Sequence, residues 1–317
     1  MQIISHRRCF SLKKVLYWVL VALFSVIFIF SAFTLGKYVI NSIQYREQLK
    51  DLQQMHTNPT TRPTPTLRQP TANQDGTQPA TRPTDPTDPG VDHTRPTTPI
   101  IPTLPSNPSG PVDRPTVPNQ PDNPYGILPE LAGIYQMNKD LVGWIYIAGT
   151  NINNPVVQRK DEKDYYLHRD FYKNYDQNGT IYVRETCDVF EPTDVLTLYG
   201  HSMFNGNMFA HVLKYTSKSF FDSHQVIYFD TLYERHTYQV VCVFRTSGDY
   251  GKGFPYHLFD DFADEAEYQE FIQGVRDLAI HDSGIPVYYG DKFILLSTCE
   301  DAVISNGRLV LVAVRVD

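Results

Sequence analysis

The chain has 317 residues and a formal net charge of −7, but its residues are so unevenly placed that length alone misleads about domain count. Of 23 prolines, 18 fall between Pro59 and Pro124, a stretch without Phe, Trp or Tyr, which leaves residues 125–317 for a packed core of about one ordinary domain. That segment carries 16 Lys and Arg against 27 Asp and Glu, which excludes electrostatic attraction to nucleic acid, and Cys9, Cys187, Cys242 and Cys299 are too scattered for a disulfide framework or a zinc site.

Residues 15–36 form a run of 22 without a charge. At about 1.5 Å per residue, such a helix crosses a hydrocarbon core of roughly 30 Å. Arg7, Arg8, Lys13 and Lys14 precede it with no acid among them, so the positive-inside rule places residues 1–14 in the cytoplasm and everything after Lys37 outside. The competing reading is a cleaved signal peptide, whose apolar core is usually only about 7–15 residues long. This run is longer and shows no small-x-small cleavage site, so an uncleaved signal-anchor is expected. Cys9 lies on the cytoplasmic side and reads as an idle thiol.

Residues 37–124 read as an extracellular spacer. Residues 38–54, polar with Ile40, Ile43 and Leu49 interspersed, suit a short helical extension of the anchor. A Pro/Thr-rich tract follows, with Thr-Arg-Pro-Thr at 61–64, 81–84 and 94–97 and Asp-Arg-Pro-Thr at 113–116. Dense prolines remove backbone donors and favour extended polyproline II, and the few apolar side chains, none of them aromatic, are too sparse to fold against. At about 3.1 Å per residue, the tract would reach on the order of 200 Å. A disordered, semi-rigid spacer is therefore expected, in preference to a Pro-rich ligand for a partner domain.

The folded segment reads mainly as strands. After a lead-in helix over 126–138, apolar runs occur at 143–147, 155–157, 180–183, 195–199, 226–229, 237–245, 292–298 and 308–316, each bounded by Gly, Asn, Asp or Pro. Short strands with turn residues between them indicate an all-β barrel or sandwich. Helical patterns interrupt them at 202–214 and at 264–280, where Tyr268, Phe271, Ile272, Val275, Leu278 and Ala279 have helical spacing. Asp264 with Glu267 three residues later resembles a capping box.

Three positions carry candidate chemistry. Cys299 ends the apolar run Phe293-Ile-Leu-Leu-Ser-Thr-Cys299, where a buried strand would hold it rigidly yet leave it accessible. Cys242, inside Val-Val-Cys-Val-Phe, reads as core. A cysteine nucleophile needs its thiolate, hence a nearby cation or base. Among ten histidines, His201 is the best candidate because it follows a strand ending in Gly200, where the backbone can turn and project the side chain from a barrel rim. Arg308 follows the turn Ser305-Asn306-Gly307 nine residues after Cys299, so a hairpin would return it to the thiol, where its donors could stabilise an oxyanion. Asp161-Glu162-Lys163-Asp164 reads as a solvated loop, since it lacks a calcium-loop pattern. Asn178-Gly179-Thr180 reads as a turn, and the run Tyr165–Tyr172 suits either a groove lining or sheet packing.

Tyr199-Gly-His201, Leu296-Ser-Thr-Cys299 and Asn306-Gly-Arg308-Leu resemble the sortases, membrane-anchored cysteine transpeptidases of Gram-positive bacteria. The resemblance covers residues 127–317 and is nearest to class B, whose opening strands look like Asp140-Leu-Val-Gly-Trp-Ile-Tyr-Ile, Gly149-Thr-Asn-Ile-Asn and Pro155-Val-Val-Gln158. That class carries an extra helix where this chain has 264–280. Leu295 stands where the family's TLxTC motif has Thr, and Ser202 follows the histidine where Asn is common.

The resemblance implies a closed sortase-type barrel with a few peripheral helices, a thioacyl intermediate on Cys299, His201 as acid and base, and Arg308 at the oxyanion. Thr298 and Ser297 would be substrate-binding. Implied partners are secreted proteins with a C-terminal sorting signal, cleaved after Thr, and a peptidoglycan-precursor or pilin amine as acceptor. The membrane is contacted through residues 15–36, and no metal, cofactor or nucleic acid is implied. Alternatives are a pilus-polymerising class C sortase, less favoured because that class often carries a second membrane helix beyond the position of Asp317, a secreted cysteine protease using water as acceptor, and a non-catalytic wall-binding ectodomain on a stalk.

Overall fold

The computed structural model describes residues 12–56, 64–70, 126–249, 251–300 and 306–317. Cys9, most of the Pro/Thr tract and Asp301 lie outside them. The chain divides into two compact units, residues 1–54 and 55–317.

The first unit is built on helix α1, Leu12–Met55. The apolar run and its expected extension form one continuous helix, because residues 37–54 contain good helix formers and no Gly or Pro. It stops short of Asn58-Pro59, whose proline disfavours helix in the residue before it. Its apolar part has a mean hydropathy of 2.5, long and apolar enough to cross a membrane.

In the second unit, helix α2 (Pro129–Met137) opens with proline at its first position, where no intrahelical N–H is lost. Nine strands follow: β1 Leu141–Tyr146, β2 Asn153–Val157, β3 Tyr182–Val183, β4 Val195–Tyr199, β5 Val226–Thr231, β6 Arg235–Ser247, β7 Ala279–Asp282, β8 Phe293–Cys299 and β9 Gly307–Arg315. The order is β5-β1-β2-β3-β4-β8-β9-β6, and β5 pairs with β6, so eight strands close into a barrel with β7 added beside β6. Among the described residues, only β2–β3 and β4–β8 are parallel.

Helix α3 (Lys218–Ser223) and helix α4 (Glu265–Asp277) are peripheral. Asp264 caps α4 by accepting from the Glu267 N–H at 3.0 Å, while Glu267 accepts from the Ala263 N–H at 2.7 Å. The helical pattern at 264–280 therefore ends earlier than its periodicity suggests: Ala279 and Ile280 already belong to β7. The pattern at 202–214 becomes a turn followed by a 3-10 helix at Phe209–Thr216.

Strands β8 and β9 are buried on both faces. Phe293 and Leu295 of β8 and Val310, Val312 and Val314 of β9 pack with Tyr268, Phe271, Ile272 and Val275 of α4. By strand alternation, Ile294 and Leu296 face the opposite way and are also buried. Double burial explains why these strands read as unbroken apolar runs. Each fully buried Phe, Leu or Val contributes about 1.5–3 kcal/mol, so this pair is firmly held within the barrel.

One short piece of the proline-rich region, residues 64–70, lies against this unit, with Arg68 bonded to Asp291 and Gln239.

Candidate active site

The rim at the C-terminal ends of β4 and β8 holds the candidate groups. Cys299 and Arg308 are direct partners in the antiparallel β8–β9 ladder, so their side chains leave the same face with Cβ atoms about 5 Å apart. On the other side, β4 runs parallel to β8 with Tyr199 opposite Ser297, and Gly200 N–H donates to Ser297 O at 3.2 Å. Continuing that register two residues brings His201 level with Cys299. Cys299, His201 and Arg308 line one cleft of about 280 Å³, together with Tyr182, Arg184, Tyr199, Tyr256 and His257.

Of the described cysteines, Cys187 and Cys242 are buried and Cys299 is partly exposed. Burial pushes the Cys187 thiol up to about 12 and raises that of Cys242 as well, which makes both inert at neutral pH.

His201 is fixed by backbone. Its Nε2 lies 2.8 Å from Leu167 O; a carbonyl only accepts, so Nε2 carries a proton and Nδ1 remains for proton exchange. Burial holds the His201 pKa below its ordinary value; the Leu167 carbonyl opposes that shift, and His168 and Arg308 add to it. His168 stacks on His201, with ring centroids 5.4 Å apart.

Gly200 is needed for a different reason from the turn expected of it. Its φ is not positive, but a Cβ there would meet the Phe209 ring at 2.8 Å.

Arg308 is steered from below. Its Nη1 donates to Asn306 Oδ1 at 3.0 Å and to Gly307 O at 3.0 Å. Asn306 Nδ2 in turn donates to Asp249 Oδ1 at 2.8 Å, and Gly248 N–H donates to Asn306 O at 2.8 Å. A Cβ at Gly248 would lie 2.9 Å from Arg308 Cζ, so that glycine leaves room for the guanidinium. Just past Cys299, Glu300 forms a two-pronged pair with Arg245 of β6 at 2.6 and 3.0 Å, which pins the strand end.

Ser297 and Thr298 also border the cleft but are almost fully buried. Ser297 Oγ is 2.7 Å from the Tyr256 hydroxyl. Thr298 Oγ1 has no hydrogen-bond partner among the described residues.

Sequence reasoning missed Leu167, His168, Gly248 and Tyr256. Leu167 acts through a carbonyl, which no residue type advertises. His168 lay in an aromatic run whose packing role was equally plausible, and Gly248 gave no signal beyond being a glycine after a strand. The solvated-loop reading of 161–164 is modified in one respect: Asp164 accepts from the Tyr182 hydroxyl at 2.7 Å.

No family model matches the chain. Sortase B of Listeria monocytogenes is 30% identical over 185 residues, 57% of this chain and 72% of that protein. Sortase B of Staphylococcus aureus is 29% identical over 190 residues, 60% of this chain and 75% of that protein. Among solved structures, the Staphylococcus aureus sortase B–substrate complex is 30% identical with a TM-score of 0.55, covering 62% of this chain and 88% of that one. A Bacillus anthracis protein similar to sortase B is 33% identical with a TM-score of 0.54, covering 60% of this chain and 84% of that one. A further sortase B structure, complexed with triglycine, is 30% identical with a TM-score of 0.54 over 60% of this chain and 86% of that one. Identity at this level over most of a relative's length, joined to the same closed barrel, settles the assignment: the chain belongs to the sortase B family, and it is a class B-like cysteine transpeptidase.

Proposed function

We propose that Cys299, His201 and Arg308 are the catalytic residues, and that the chain cleaves a C-terminal sorting motif of secreted proteins after Thr and joins the acyl group to a cell-wall or pilin amine. The observation that carries this reading is the meeting of all three side chains in one cleft, with Cys299 the accessible thiol among the described cysteines.

His201, held mainly as neutral imidazole, takes the Cys299 proton. The thiolate adds to the Thr carbonyl carbon, and Arg308 stabilises the oxygen that becomes negative. Collapse breaks the C–N bond, and the imidazolium returns its proton to the departing amine. The acceptor amine then attacks the thioester, His201 removes its proton, and the Cys299 thiolate leaves. Ser297 supports the site through Tyr256, and Thr298 supplies backbone and a buried hydroxyl beside the acyl position. The relatives' structures with a substrate and with triglycine support both halves of the reaction, a peptide donor and an amine acceptor.

The basic residues ahead of the apolar run 15–36 support a cytoplasmic N-terminus with the catalytic barrel on the extracellular face. Residues 1–14 and 15–36 then serve as tail and anchor, and 125–317 holds the catalytic cleft, with 37–124 as the segment that joins them in the chain.

The test is intact mass after incubating the chain with sorting-motif peptides and hydroxylamine, beside Cys299→Ala. A hydroxamate ending in Thr, formed by wild type alone and at least ~10³-fold faster than by Cys299→Ala, is the expected result. Equal product from Cys299→Ala would sink the assignment.

A further inference from the structure

The Pro/Thr tract looks like a long tether in sequence, yet one residue within it is gripped by the barrel. Arg68 N–H donates to Gln239 Oε1 at 2.7 Å, and Gln239 Nε2 donates back to Arg68 O at 2.9 Å. A single side-chain amide thus binds both backbone groups of one residue, as a neighbouring strand would. The Arg68 guanidinium makes a two-pronged pair with Asp291, at 2.6 and 2.9 Å, and donates to Pro286 O at 2.9 Å. It also lies over the Tyr288 ring, 5.7 Å from the centroid. Gln239 is 4% exposed with residue 68 in place, and its amide oxygen and nitrogen are both engaged by the Arg68 backbone. Asp291 is held for the task by the Tyr288 N–H at 2.8 Å. Upstream, His56 stacks on Trp144 with centroids 4.2 Å apart and rings 6° from parallel.

We propose that Gln239, Pro286, Tyr288 and Asp291 form a binding site for the chain's own residues 64–70, that Arg68 is its latch, and that latching takes the Pro/Thr tract out of the path between membrane helix and barrel. Residues 71–125 then start and end on one body. They add nothing to the distance the catalytic cleft can travel, whatever their contour length. Along the chain, the catalytic body begins soon after α1 instead of at residue 125, and the reach on the order of 200 Å that the tract would allow as a spacer is withheld. Resting on the transpeptidase reading, this confines the enzyme to polypeptides still close to the membrane.

The tract carries its own probe. Between residues 57 and 124 there is no Lys, and Arg62, Arg82, Arg95 and Arg114 are each followed by Pro, which trypsin does not cut. Arg68-Gln69 is therefore the single tryptic bond in that stretch, and it lies at the latch. Full-length protein in micelles should be cut there at least ~10-fold more slowly than Asp291→Asn or Arg68→Lys, since a protease needs the locally released segment. Arg68→Lys keeps a tryptic site, lies outside the barrel and loses the planar fork. Wild type cut as fast as the variants, or variants protected as well as wild type, would overturn the latch.

A second measurement addresses the tether. With a dye at the C-terminus and an acceptor lipid in vesicles, inserting a second copy of residues 75–120 should leave energy transfer unchanged to within about 10% in the latched chain and lower it in Arg68→Lys. A drop in the otherwise wild-type chain would show that the tract is a tether after all. Neither readout uses catalysis, so failure of the latch leaves the transpeptidase reading untouched, and the reverse holds too.

Discussion

Two segments meet at the cleft and are held by different physics. Strands β8 and β9 place Cys299 opposite Arg308 through a ladder of backbone bonds buried on both faces. Residues 159–180, between β2 and β3, place the Leu167 carbonyl on His201 through local turn bonds, such as Leu167 N–H to Asp164 O at 3.0 Å and Thr180 N–H to Tyr166 O at 3.1 Å, tied to the rest of the barrel by a handful of side-chain bonds. Burial pushes the Tyr166 phenol pKa up, so it stays protonated and donates to Asp140 Oδ2 at 2.7 Å, while Asn138 Nδ2 donates to Tyr166 at 2.9 Å and to Phe171 O at 2.8 Å. Thr180 Oγ1 closes the loop on Arg169 O at 2.9 Å. A position set by strand register should be less sensitive to single side-chain changes than one tied to the barrel by a few polar side-chain contacts. The nucleophile and the oxyanion group sit on the first kind of support, and the proton carrier's orientation depends on the second.

The largest effect expected from the ladder side comes from Arg308 itself. Arg308→Lys keeps the charge but not the fork, so kcat/KM should fall about 10²–10³-fold while the midpoint of thermal unfolding stays near wild type. Peptide turnover and a melting curve on the same preparation check this; activity within a few-fold of wild type would remove Arg308 from the oxyanion. Gly248→Ala probes the same group from its neighbour. The added methyl, 2.9 Å from the guanidinium carbon and 3.0 Å from Asn306 O, should displace Arg308 and lower kcat about tenfold. Because Arg308 is an adaptable side chain at a partly exposed rim, stability should change little.

The loop side should break differently. Tyr166→Phe leaves Asn138 and Asp140 without their buried hydroxyl partner and should cost about 1–3 kcal/mol in denaturant unfolding. With Leu167 less firmly placed, kcat should drop several-fold at nearly constant KM. A stability loss without any change in kcat would show that the carbonyl does not orient His201.

The same contrast explains what could be read in advance. The β8 and β9 runs were legible to within one residue because double burial writes an apolar residue at nearly every position, and Cys299 and Arg308 stood out at their ends. Closure of the barrel followed from the resemblance, and the order of its strands from neither the resemblance nor the runs, since a run of β-formers does not encode its partner. The hold on His201 was not legible: Leu167 contributes only a carbonyl, and Tyr166 bonds to a residue 26 positions away. Periodicity also overran at Ala279, where apolar spacing continued through a change from α4 to β7. Arg68 was hidden by its surroundings, one arginine in a tract whose composition argues for an extended spacer. What identifies it is the long-range partner Asp291, not its local sequence.

The smallest and sharpest effect concerns proton affinity. His201 titrates below 6.5 chiefly because it is buried, with added contributions from the positive forms of His168 and Arg308. His168→Phe keeps an aromatic ring stacked on the imidazole but removes one of those charges, so the His201 pKa should rise while remaining below 6.5, because burial and Arg308 persist. Ring-proton NMR titration of the two proteins measures it directly. The acid limb of kcat/KM should move up with it, since the imidazole form must be present to take the Cys299 proton. Stability follows with a definite sign. A histidine whose folded pKa lies below its unfolded value binds fewer protons in the native state, so it lowers stability as pH falls below 6.5, and the loss levels off below the folded pKa. Bringing the folded value closer to 6.5 narrows that window, so His168→Phe should lose less stability between about pH 7 and 5 than wild type. An unchanged or lowered His201 titration would mean that the 159–180 loop holds the imidazole without tuning it.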